Sequence, residues 1–208
     1  MKKNKLPVLL LLSVFILSSC ASPYPPTDFI GKSNFLPEGS FFKGQSVSST
    51  ANFLKYRKII IQEPDLTFLG EDVKGRIPQA DLEKLAAEFK MSLKEELNHT
   101  YEIVDDGAAP SEDSLVIAPA IVYAKTPNRL LNLATFFFFF IAVSPGSAAF
   151  EARITDGGTR KILAQISEKR SGALGLKPIL IGPFTRYVHA RAIFKKWSKE
   201  LSRFLIQA

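Results

Sequence analysis

Hydrophobic and polar positions recur along this chain with two periods, and the two periods divide it into elements. "IPQADLEKLAAEFKMSLKEELNH" spaces Leu82, Leu85, Ala86, Phe89, Leu93 and Leu97 by three and four residues, which is one face of a helix. Pro78 near its start and Asp81 in its first turn suit the positive end of the helix dipole. "RYVHARAIFKKWSKELSRFLIQA" predicts a second helix, with Ala190, Phe194, Trp197, Leu201, Phe204 and Leu205 on one face and Arg191, Lys195, Lys199 and Arg203 stepping by four along the other. Short apolar runs predict strands instead. "KYRKIIIQEPDLTF" gives one from Tyr56 to Gln62, stopped by Pro64, and "TYEIVDD" and "DSLVIAPAIVYAKT" give two more around the polar loop "DGAAPSE". "SAAFEARITDGGTRKILAQISEKRSG" reads as a hairpin, with a positive-φ turn expected at Asp156 to Thr159. In "SNFLPEGSFFKG", Phe35, Leu36, Phe41 and Phe42 read as an extended strap over part of the core. The order of elements predicts an α+β fold: a mixed or mostly antiparallel sheet of about four to five strands with two main helices packed on one side.

The N-terminus follows neither period. Lys2, Lys3 and Lys5 precede an apolar run from Leu6 to Leu17, which at about a dozen residues has the length of a secretory h-region and is too short to span a bilayer, where roughly 20 are needed. The small residues Ser18 and Ser19 then lead into Cys20, and "LSSC" resembles the bacterial lipobox. That resemblance implies cleavage before Cys20, with lipid on its sulfur and acyl chain on its amine. Two or three buried acyl chains, such as palmitate, anchor stably where one is marginal. The expected organisation is a signal peptide over residues 1–19, a lipidated cysteine and spacer over 20–34, and a single α+β domain over 35–208. Ala21, rather than Asp, follows the cysteine, which under lipoprotein sorting rules implies the outer membrane and a periplasmic face.

Composition sharpens this picture in two ways. Cys20 is the one cysteine, so no disulfide is available and the domain depends on its core. The charge is unevenly placed: residues 20–150 carry 12 Lys and Arg against 16 Asp and Glu, whereas residues 151–208 carry 12 against 4. An exported chain rarely meets nucleic acid, so the basic third points to an anionic surface or an acidic envelope protein, with an ordinary solvated face as the alternative.

"RLLNLATFFFFFIAVSPG" stands apart. Phe136, Phe137, Phe138, Phe139 and Phe140 are consecutive and cannot all share one side of a helix or strand. The run is either buried on both faces, in contact with a membrane or partner, or inserted by an oligomer. Candidate chemistry is sparse. His99 and His189 lie in different elements with no cysteine to join them, so neither a metal site nor a cofactor is expected. His99 reads as a residue at a helix C-terminus. Adjacent acidic pairs such as Glu95 and Glu96 point in different directions, and "SPGS" lacks a nucleophile elbow.

"SNFL", "YRKIIIQEPDLTF", "YEIVDDGAAPSEDSLVIAPAI", "FEARITDGGTRKILAQ" and a last helix bearing Trp197 together resemble a family of bacterial lipoproteins known only as a domain of unknown function, the DUF3313 type. These are signatures of fold and imply no activity. The element order is also similar to small envelope lipoprotein domains that act as adaptors. The sequence therefore predicts a lipid-anchored, periplasm-facing binding or adaptor module rather than an enzyme, with Arg191, Lys195, Lys199 and Arg203 as partner contacts. The alternatives are an oligomeric, membrane-contacting assembly subunit that uses Phe136 to Phe140, and a periplasmic hydrolase with an unrecognised site.

Overall fold

A computed structural model of the chain describes residues 27–31, 36–125, 147–171 and 188–208. Six strands form one mixed sheet in the order β1-β6-β5-β4-β2-β3. They are β1 (Gly44–Val47), β2 (Lys58–Ile61), β3 (Glu102–Val104), β4 (Ser114–Lys125), β5 (Ser147–Asp156) and β6 (Ile162–Ser171). Among the described residues three helices accompany them: a single turn α1 (Glu71–Lys74), α2 (Gln79–Leu97) and α3 (Val188–Gln207). β2 and β3 run parallel with α2 as the crossover, β4 lies parallel to β2, and β4, β5, β6 and β1 pair antiparallel.

The α+β class holds, with one strand more than expected. The addition is β1, an edge strand paired with Ala164 to Ser167 of β6. "GQSV" carries no apolar alternation, so only the free edge of β6 makes it a strand. β2 begins two residues later than expected, because Tyr56 ends a 3-10 turn at Phe53–Lys55. Tyr56 is buried and donates its hydroxyl to Asp156 at 2.5 Å. Pro119 sits inside the central strand β4, opposite Ala152. It is tolerated because β2 has already ended at Ile61, and Asp65 takes over the pairing by donating to the Pro119 carbonyl and accepting from Ile121 N–H.

The β5–β6 turn corrects a second expectation. The positive φ falls at Arg160, at 62°, and not within "DGGT". Gly157 is needed for space: a Cβ there would stand 2.2 Å from Ser114 Oγ, while the Gly157 N–H donates to the Ser114 carbonyl. Asp156 closes the turn by accepting from Thr159 N–H at 2.8 Å. Those bonds favour its charged form and hold its carboxyl well below the ordinary range, the Thr159 amide contributing most and the Tyr56 hydroxyl next.

α2 and α3 cover one face of the sheet. All six periodic apolar residues of α2 are buried, as are Phe194, Trp197, Leu201, Phe204 and Leu205 of α3, joined by Ile193. Trp197 is fully buried, with its ring 4.5 Å from Phe150 of β5 and 5.8 Å from Phe89 of α2. Phe204 gathers Phe41, Phe42 and Phe53 around it. Phe41 and Phe42 of the expected strap thus belong to this core.

The opposite face is covered by something the sequence did not announce. Thr27–Gly31, within the expected spacer, lies on β4 and β5, burying Phe29 and Ile30 against Ala120, Val122 and Ala149. The folded part therefore begins earlier than residue 35.

Candidate functional site

The outward side of α3 is the surface at which fold and charge meet. Its inward stripe is fixed by the aromatic core, so the positions between must face water. Of the four expected contacts, Lys195, Lys199 and Arg203 are exposed and make no ion pair among the described residues. Lys196 joins them, exposed and equally unpaired. It falls at i−3 from Lys199, and a reading in steps of four passes over it.

Arg191 belongs to a different structure. Its Nε and Nη2 donate to Glu88 of α2 at 2.7 and 2.6 Å, a two-pronged pair that ties the two helices together. Glu88 is buried while the Arg191 side chain remains 62% exposed. The guanidinium holds the Glu88 carboxyl below its usual range against the opposing effect of burial. Arg191 is therefore a structural clamp, and the free basic group is Lys195, Lys196, Lys199 and Arg203.

The acidic residue within that stretch is also occupied. Glu200 accepts from Arg170 of β6 at 2.9 Å, and Arg170 Nε donates to Glu168 at 3.0 Å. Glu168 also accepts from Lys43 N–H at 2.7 Å. This network fastens α3 to the β6 edge and leaves no free carboxylate between Lys195 and Arg203. Ser198 and Ser92, 3.1 Å apart across the helix pair, complete the junction.

The other face has its own polar anchor. Glu151 of β5 is fully buried and accepts from both Thr27 N–H and Thr27 Oγ1, each at 2.7 Å. Burial pushes its carboxyl up, opposed by these bonds and one from the Ile30 backbone. Arg153 lies over the Phe29 ring at 4.5 Å, Phe29 meets Phe68 edge-on, and Gln165 donates to the Ile30 carbonyl at 3.3 Å.

Cys20 and Phe136 to Phe140 lie outside the described residues. Among the described residues no group of His, Cys, Asp or Glu could hold a metal ion, and no helix is long and apolar enough to cross a membrane. His99 is exposed one position beyond Asn98, which occupies the C-cap of α2.

The family model DUF3313, described as a protein of unknown function, matches residues 37–201, and the chain belongs to that family. No curated protein matches the sequence. Among solved structures, the chain is similar to the PelC dodecamer from Paraburkholderia phytofirmans, at 11% identity over 75% of this chain and 95% of that one, with a TM-score of 0.44. It is similar to the hypothetical protein CT253 from Chlamydia trachomatis, at 14% identity over 74% and 99% of the two chains, TM-score 0.45. Lipoprotein GNA1162 from Neisseria meningitidis matches at 13% identity over 55% and 83%, TM-score 0.32.

Proposed function

We propose that this protein is a lipid-anchored envelope lipoprotein of the periplasm that works by binding, with the outward side of α3 as its contact surface for an acidic protein partner. The observation that carries the reading is the unpaired run Lys195, Lys196, Lys199 and Arg203 beside a carboxylate, Glu200, already held by Arg170. These four cations gain nothing by folding; α3 is held by its aromatic stripe and by the pairs at Arg191 and Glu200. A carboxylate-bearing surface opposite them would gain charge-assisted bonds and a faster, salt-sensitive encounter. The lipobox-like "LSSC" supports the anchor, and Ala21 after it supports the outer membrane.

The test is photocrosslinking in intact cells, with the reactive residue at position 195 or 199. A discrete protein adduct that weakens when Arg203→Glu is added supports the proposal. Lipid or wall adducts alone would overturn it.

A further inference from the structure

Thr27, seven residues after Cys20, and the basic helix lie on opposite sides of the sheet. Building on the proposed lipidation of Cys20, we infer that the face of β4, β5 and β6 carrying Thr27–Gly31 is the membrane-facing side, resting on anionic headgroups, and that α3 is held away from the membrane.

Reach comes first. Seven peptide steps separate Cys20 from Thr27, a span of roughly 25 Å when fully extended. Thr27 is fixed to the sheet by two hydrogen bonds to Glu151. From there to the outward side of α3 is roughly 20–25 Å, taking about 10 Å between packed layers and a helix about 10–12 Å across. A tether of that length would have to pass straight through the sheet to bring α3 onto the membrane. It has no slack to travel round the sheet edge.

Charge comes second. Residues paired across antiparallel strands share a face, so the pairings Lys125 with Ser147, Ala149 with Lys169, and Arg153 with Gln165 place Lys125, Lys169 and Arg153 beside the strap. Lys169 lies 4.9 Å over the Tyr123 ring and Arg153 over Phe29. Glu151 is the one acidic residue that β4, β5 and β6 place on this face, and it is covered by Thr27. Around the strap the three strands thus set three cations against one exposed carboxylate, Asp28 of the strap itself, and the balance of this face is positive. Each cation close to an anionic bilayer contributes attraction that adds to the acyl anchor and fixes the domain's orientation.

The experiment uses the full lipidated chain in vesicles of phosphatidylethanolamine and phosphatidylglycerol with an acceptor dye on the headgroups. In the reading, Cys20 is blocked by lipid, so one introduced cysteine takes the donor: Ser46→Cys, in the row of Arg153 and Gln165 on the strap face, or Lys199→Cys on α3. Energy transfer is expected to be several-fold stronger from position 46 than from 199, and Lys125→Glu is expected to narrow the gap. Equal or reversed transfer overturns the inference. Flotation of Cys20→Ser separates this from the lipidation reading: loss of vesicle binding supports the anchor, whereas unchanged binding refutes the anchor and this inference with it.

Discussion

On the helix side of the sheet, Trp197, Phe89, Phe150 and Phe194 interlock within 4.5–5.9 Å of one another or of their neighbours, drawn from three elements far apart in sequence. On the strap side, five residues, Thr27–Gly31, lie on a shallow surface of alanines and Val122, held by the Glu151 carboxylate, a hydrogen bond from Gln165 and the contacts of Phe29 with Arg153 and Phe68. The first arrangement cannot be removed without losing the fold. The second rests on a few small side chains and can lift without unpacking the aromatic core. One sheet therefore has a side that stabilises and a side that docks, and the two differ in what a mutation there should do.

The largest expected effect lies in the aromatic core. Trp197→Ala should cost about 3–5 kcal/mol, the usual range for removing a large buried ring, read as a lowered midpoint in urea. Glu151→Ala should instead leave that midpoint within about 1 kcal/mol, since a released strap returns Thr27 to water, while hydrogen exchange at Thr27 and Phe29 accelerates strongly. If Glu151→Ala were as damaging as Trp197→Ala, the two sides would not be separable.

Next comes the clamp between the helices. Arg191→Ala should lower the urea midpoint measurably but by much less than Trp197→Ala, because the arginine is largely exposed while the Glu88 it leaves behind is buried. Lys195→Ala and Lys199→Ala should change stability by less than about 0.5 kcal/mol, as free surface positions do. Equal costs at 191 and 195 would erase the distinction between a structural and a free arginine or lysine on α3.

The smallest effect is in titration, and its sign differs between the two sides. Arg191 favours the charged form of Glu88, so the folded value lies below the unfolded one. Its contribution to stability is full above the ordinary glutamate value of about 4.3 and is lost as pH falls through the folded value. Glu151 is the reverse, since burial favours its neutral form. Its stability is fullest below the ordinary value and declines as pH rises through the folded one. Carboxyl NMR should resolve the two residues on either side of ordinary glutamates.

What was legible in the sequence follows the same division. Both helices and their buried faces were readable because their apolar residues repeat within one element, and β2 to β6 because their runs are apolar enough. β1 was not, since Gly44, Gln45 and Ser46 become a strand only beside β6. Arg191 read as a contact because its partner Glu88 lies 103 positions away, beyond any local pattern. The strap was hidden for the same reason: Thr27 and Glu151 are 124 positions apart, and two apolar residues, Phe29 and Ile30, have no period. The alternation of lysines on α3 showed that a basic side existed, and the fold decided which of its members are free.

The division of labour between the two sides is tested most directly by one paired crosslinking measurement in intact cells, with the same photoreactive residue placed at Ser46 on the strap face or Lys199 on α3. The account expects lipid adducts from position 46 and a protein adduct from position 199. A protein adduct from 46 with lipid from 199, or the same adducts from both, would contradict it.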